Sequence, residues 1–372
     1  MWFIVAVSSL GIASVFALML ALSRMPGLAT IVPWPLDSFA KGLVIHVVFS
    51  LVVWFLAVFA LLVSLATFEL ANENEPRMAV LGRAGAWLVA YAFPLLFVPA
   101  FLNGSEATLN NYVPVIIHPF YYCGLVTLAI GILLPVVRLF VNLRGAAWKD
   151  LGTLPFAMAA GGILYLIALA CFGSALVQTW GALPSRSFHE QLFWGGGHVL
   201  QFLNALMLLT GWVILLKVSI GEDAVDPRIF RTAVGLLVLF VLPAPLVYQL
   251  FDPYSMVQSE AFRRLQFVLG LPTLLLALHG LWAVLGARAS GPLPWHKPGF
   301  VALVLSVLVF GVGGLMGLMI SGSDTRTPAH YHGVIAAVNL SIMGVLVCYA
   351  FPRLGRSVSL GKSVIVQFSL FG

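Results

Sequence analysis

Apolar residues in this chain run in long blocks separated by short polar stretches. Ten blocks are long enough to cross a bilayer: residues 2–22, 42–68, 83–102, 116–141, 155–180, 190–217, 230–251, 261–287, 299–321 and 328–351. A further stretch, 363–371, begins a partial eleventh. The pattern predicts an all-α, polytopic transmembrane helical bundle. With short loops and no soluble domain, low-complexity tract or short repeat, residues 1–372 read as one membrane domain. Met1-Trp2-Phe3 lacks a basic leader region, so the first span reads as retained and not as a cleaved signal peptide.

Composition fixes the class. With 61% hydrophobic and 9% charged residues, no soluble domain of this length could hide its apolar surface. Loop charge then sets an orientation. The loops after even-numbered spans hold thirteen of the nineteen Lys and Arg, and the loops after odd-numbered spans hold six. The positive-inside bias places the N-terminus and the even-span loops in the cytoplasm. The net charge of +6 is mostly this topogenic charge and needs no nucleic-acid partner. Cys123, Cys171 and Cys348 all fall within expected spans without CxxC spacing, which argues for buried small apolar residues and against disulfides or a zinc site.

Topology converts sequence position into membrane depth. His46 lies a few residues into span 2, His198 two turns into span 6, and His330 and His332 open span 10; all three spans enter from the outside. Tyr248 lies near the outer end of span 7. Four histidines and a tyrosine from four helices are thus expected at one depth, where polar residues are functional by default. Each has a plainer reading. A lone histidine can hydrogen-bond a neighbouring helix, Gly195-Gly196-Gly197 can mark a close helix contact, and the His330/His332 pair can be solvated at the interface. The pair is nevertheless distinctive. Two residues apart on a helix is about 200° of rotation, so the imidazoles point to opposite sides. One metal cannot easily take both, whereas two planar cofactors can, and haem iron is a common reason for an intramembrane imidazole. Of the other histidines, His279 is expected in packing or a proton path, His118 at the interface, and His189 and His296 in solvated loops.

Taken in order, the motifs resemble subunit I of the haem-copper oxidase superfamily, especially its ba3-type group. They are Val44-Ile45-His46, the loop Asn103–Thr108 with Tyr112-Val113-Pro114 and His118–Gly124, Leu192–His198, Gln249–Pro253, Gly311–Gly314 and His330-Tyr331-His332. The resemblance implies two haems. His46 and His332 would be axial ligands of a low-spin haem, and His330 the proximal ligand of a high-spin haem open to O2 or NO. His198 matches the position of one copper ligand. The adjacent histidine pair of the family falls on Val247 and Tyr248, and the oxygen-cleaving tyrosine position on Phe202. Copper is therefore expected to be absent or very weakly held. His198 and Tyr248 remain the candidate catalytic residues, with His198 as the remnant metal position. The family usually has twelve spans, so the chain reads as divergent and C-terminally shortened, lacking spans 11 and 12.

The leading expectation is a di-haem respiratory oxidoreductase subunit of a bacterial inner membrane. It would be surrounded by lipid and fed by a subunit II with a cupredoxin or c-haem domain. The alternative, motivated by Val247, Tyr248 and Phe202, is a haem protein that binds a gas or transfers electrons without turnover. A transporter is a third reading, weakened by how few midplane polar residues and broken helices the chain has.

Overall fold

The computed structural model describes residues 1–27, 39–72, 74–320, 325–356, 358 and 361–372. Among them ten helices are long and apolar enough to cross a membrane: α1 (Trp2–Ser23), α2 (Phe39–Ala71), α3 (Ala79–Phe101), α4 (Pro119–Asn142), α5 (Thr153–Gln178), α6 (Arg186–Ser219), α7 (Pro227–Leu250), α8 (Met256–Ser290), α9 (Pro298–Leu318) and α10 (Arg326–Arg353). A shorter apolar helix, α11 (Lys362–Phe371), follows. Every expected span has its helix, displaced by a few residues at the ends; residue 321, the expected end of the ninth span, lies outside the described residues. The protein is an all-α multi-pass membrane protein.

Helices α7 and α2 depart from regular α-helical geometry. In α7, Pro243 and Pro245 supply no N–H, and the helix gives way to a tight turn over Ala244–Leu246 before resuming at Val247–Leu250. In α2, the segment Val48–Val53 takes π-helical geometry. Between α3 and α4 the chain forms an antiparallel hairpin of β1 (Glu106–Thr108) and β2 (Val115–Ile117), with Glu106 opposite Ile117 and Thr108 opposite Val115.

The chain divides into two compact units, residues 1–200 with 241–265, and residues 201–240 with 266–372. In the first, α2 packs against α1, α4 and α5. Helices α3 and α4 cross at Gly85 and Gly131, where a Cβ on Gly131 would lie 3.0 Å from the Gly85 carbonyl oxygen. In the second, α9 and α10 form the closest pair, and α11 rests on both. They cross at Gly313 and Gly333, with backbone against backbone. Small residues let membrane helices approach this closely, which is where their packing energy comes from. Ser306 of α9 ties three helices together. It accepts from Trp212 Nε1 of α6 at 2.8 Å and donates to the Ala337 carbonyl of α10 at 2.7 Å.

Candidate functional site

In the second unit the first turns of α10 carry both histidines of the His-x-His pair. His330 Nδ1 lies 2.7 Å from the Gly313 carbonyl oxygen on α9, and His332 Nδ1 lies 2.7 Å from the Pro328 carbonyl oxygen of its own helix. A carbonyl oxygen can only accept, so Nδ1 carries the proton in both rings. In the neutral imidazole this leaves Nε2 as a bare lone pair. One ring reaches across to α9 and the other back along α10, in keeping with their opposed directions. His330 fits because Gly317 faces it: a Cβ there would lie 2.6 Å from the ring carbon Cε1. Tyr331 packs against His332, ring centroids 4.6 Å apart.

The first unit holds His46, His198 and Tyr248. His46 Nδ1 donates to the Ala13 carbonyl of α1 at 2.9 Å, and Ser50 donates to the His46 carbonyl at 2.7 Å where the π-helical turn begins. Such turns recur at functional positions in helices. His198 is 1% exposed and donates from Nδ1 to the Trp194 carbonyl one turn back, at 2.7 Å. Its ring is boxed by Trp194 at 4.6 Å, Tyr112 at 4.8 Å and Phe262 at 6.1 Å between centroids. All four histidines expected in the polar layer therefore donate Nδ1–H to a main-chain carbonyl and keep Nε2 available. This is the arrangement in which imidazole ligates a metal, the bonded nitrogen fixing tautomer and ring orientation.

The glycine triplet before His198 explains how aromatic rings reach that site. A Cβ on Gly195 would strike the Tyr248 hydroxyl and the Phe262 ring; on Gly196, the Phe172 ring; on Gly197, the Tyr112 ring. The triplet thus marks close contact, and the partners are side chains from α5, the hairpin segment, α7 and α8. Tyr248 is 4% exposed, its ring 5.3 Å from Phe262, and its buried hydroxyl has no hydrogen-bond partner among the described residues. The backbone around it is clamped by three glutamines. Gln191 Nε2 donates to Gln258 Oε1, Gln258 Nε2 donates to Gln178 Oε1 at 3.0 Å, and Gln178 Nε2 donates to the Tyr248 carbonyl at 2.5 Å. No local sequence pattern marks these glutamines, Phe262 or Tyr112 for this role.

The remaining histidines are engaged elsewhere, and one expectation is corrected. His189 is not a solvated loop residue. It lies in the first turns of α6, fully buried, with Nδ1 2.9 Å from Thr108 Oγ1 and Nε2 2.9 Å from the Tyr122 hydroxyl. The hairpin folds over it, which no local pattern foretells. His118 caps α4 by accepting from the Phe120 N–H at 3.2 Å. His279 Nε2 accepts from the Asp226 N–H at 3.1 Å, a structural role. His296 is exposed. The expectation that all three cysteines are buried is also corrected: only Cys171 is buried, Cys348 is half-buried and Cys123 is exposed, as a membrane-facing residue can be.

These residues do not fit a copper ion. Among the described residues no group of three His, Cys, Asp or Glu side chains converges anywhere. The rings around His198 are those of Trp194, Tyr112 and Phe262, and at the positions where the resemblance puts the histidine pair Val247 offers no donor and Tyr248 only a phenol. His46, His330 and His332, each with Nδ1 bonded to a carbonyl and Nε2 bare, have the donor chemistry that haem iron takes.

Comparison with known proteins adds relatives to this geometry. The family model described as Cytochrome C and Quinol oxidase polypeptide I matches residues 1–371. The chain is 30% identical over 368 residues to an uncharacterized protein of Aquifex aeolicus, covering 97% of this chain and 86% of that one. It is 22% identical over 405 residues to an uncharacterized protein of Rickettsia prowazekii, covering 92% and 76%. It is 24% identical over 375 residues to cytochrome c oxidase subunit 1 of Thermus thermophilus, covering 90% of this chain and 64% of that protein.

Proposed function

The chain belongs to the cytochrome c and quinol oxidase polypeptide I family, and from that premise we propose that it is a di-haem oxidoreductase subunit that takes electrons to O2 or NO. His46 and His332 are assigned as the axial ligands of a low-spin haem and His330 as the proximal ligand of a high-spin haem. When bound, the haems supply one-electron transfer and an open coordination position for the gas. The observation that carries the reading is the shared state of the imidazoles, each with Nδ1–H fixed on a carbonyl and Nε2 free to bind iron. The Ala13, Gly313 and Pro328 carbonyls orient the rings and raise their basicity. His198 and Tyr248 are assigned to the reacting end, where the Tyr248 hydroxyl holds a proton with no competing acceptor among the described residues. The N-terminus is placed in the cytoplasm of a bacterial inner membrane, and a subunit II with a cupredoxin or c-haem domain is the assigned electron donor.

The test is optical. Wild type expressed with ample haem should give the reduced-minus-oxidised spectrum of bis-imidazole haem. His332→Ala and His46→Ala should each abolish that signal and spare the ligand-binding haem. His330→Ala should instead abolish the CO-difference spectrum. A His332→Ala protein that keeps its low-spin bands refutes the assignment.

One observation favours a second reading. The aromatic box around His198, with Val247 and Phe202 at family copper and tyrosine positions, removes what rapid oxygen cleavage would use. On this reading the haems bind gas or relay electrons without turnover. Metal content separates the two. Stoichiometric copper or non-haem iron with O2 or NO consumption supports turnover; iron from haem alone, with CO binding and negligible consumption, supports the second.

A further inference from the structure

A cluster away from the histidines, where the ends of α2, α3 and α4 meet in the first unit, remains without a role. Arg138 of α4 is 5% exposed. Its Nε donates to the Arg77 carbonyl at 3.2 Å, and its guanidinium carbon lies 5.4 Å from the Phe68 ring centroid. Its Nη1 lies over Gly82, where a Cβ would come within 2.7 Å. A carbonyl and a ring can satisfy donors, but neither neutralises the charge. Ion pairs join Lys217 to Glu222, and Arg263 and Arg264 to Glu260; Arg138 has no such partner among the described residues. A buried cation without an ion-pair partner is costly and calls for an anion.

Arg77 completes the set. Asn142 grips its peptide from both sides, accepting from the Arg77 N–H at 2.9 Å and donating to its carbonyl at 3.2 Å, while the side chain stays exposed. Three arginines are thus gathered where α2 ends, α3 begins and α4 ends, with the Arg138 guanidinium and the Arg77 backbone held in place. Planar guanidinium forks match phosphate oxygens.

The neighbouring surface says what carries the phosphate. Arg83, Trp87 and Tyr91 are four residues apart on α3 and form one stripe. Trp87 is 67% exposed and Tyr91 65%, and Phe68 beside Arg138 is 54% exposed. The stripe descends from a cation to amphipathic aromatics, about 6 Å per step. A free anion has no use for it, whereas a phospholipid has a phosphate for the arginines and acyl chains for the rings. We propose that Arg77, Arg83 and Arg138 bind the phosphate of an anionic phospholipid whose acyl chains lie along Trp87 and Tyr91. The site is independent of the haem assignment.

The test uses the full-length protein, delipidated in neutral detergent, with thermal unfolding read as lipid is added back. Phosphatidylglycerol should raise the unfolding midpoint at concentrations where phosphatidylcholine and inorganic phosphate do not. Arg83→Gln should weaken the apparent affinity for phosphatidylglycerol roughly fivefold, as expected for one interfacial cation. Arg138→Gln should weaken it further, and Trp87→Ala should weaken it with no charge removed. Should Arg138→Gln fail to fold, exposed Arg83 decides the matter. An equal response to phosphatidylcholine overturns the proposal. So does an inorganic phosphate response matching that of phosphatidylglycerol, which would make this a soluble-anion site, or an Arg83→Gln protein with unchanged affinity.

Discussion

Replacing Gly313 by Ala tests whether the crossing of α9 and α10 orients His330, the proposed proximal haem ligand. The added Cβ would lie 2.8 Å from Val334 N and 3.0 Å from the Gly333 carbonyl carbon. These are backbone atoms, with no side-chain torsion to relieve the clash. Ordinary contact needs about 3.5 Å, so the helices must separate locally by roughly 0.7 Å. The Gly313 carbonyl is also the acceptor for His330 Nδ1, at 2.7 Å. If that bond takes up the whole displacement it stretches to about 3.4 Å, past the normal range for N–H···O. The overpacking should cost about 1–3 kcal/mol of stability. Losing the bond that orients His330 should weaken haem binding by about 10–100-fold. The control is two residues away, on the other side of the same helix. A Cβ on Gly311 meets nothing within 4 Å, so Gly311→Ala should bind haem as wild type does and gain up to about 1 kcal/mol from helix propensity. Haem titration followed optically, with thermal unfolding of the haem-free protein, reads both terms. If Gly313→Ala binds haem and unfolds like Gly311→Ala, the reasoning about this crossing is wrong.

Two further outcomes follow from the first unit. Gly197→Ala should destabilise the protein by driving Tyr112 off His198, and Tyr112→Ala should relieve that clash. A double-mutant cycle on unfolding free energies should therefore show a coupling of about 0.5–3 kcal/mol, and additive effects would disprove the contact. Gln258→Leu leaves Gln191 and Gln178 short of buried partners and should cost about 2–3 kcal/mol, with faster proteolysis around residues 251–256. Cleavage and stability equal to wild type would show that the glutamine clamp does not hold the α7 exit.

The membrane made the fold legible, and the same fact limits what else could be read. Hydrocarbon demands a long apolar run for each helix, so all ten spans stand out in the sequence before any tertiary contact is known. The opposed His330 and His332 were readable for a similar reason, since helix rotation is a local property. Ring partners are not local. Tyr112, Phe172 and Phe262 meet the Gly195–Gly197 surface from three separate segments, and nothing in their own neighbourhoods announces it. His189 lies beyond a local reading because the apolar run begins only at residue 190, whereas α6 starts at Arg186 and the hairpin supplies the cover.

The glycines of α9 show where the line falls. Gly311, Gly313, Gly314 and Gly317 look alike in sequence, a stretch of small residues on an apolar helix. In the structure Gly313 meets the backbone of α10, Gly317 meets the His330 ring, and Gly311 and Gly314 meet nothing within 4 Å. Composition therefore signals that something approaches α9 closely, but the side that is approached depends on which residues α10 turns toward it. That dependence gives the pair Gly313 and Gly317 a role the other two lack. One frees the carbonyl that fixes the His330 Nδ1 proton, and the other makes room for the ring itself. Enlarging Gly317 to Val should therefore displace the imidazole directly and abolish the CO-difference spectrum while α9 and α10 stay packed. If the spectrum survives, the ring is not seated where its glycines place it.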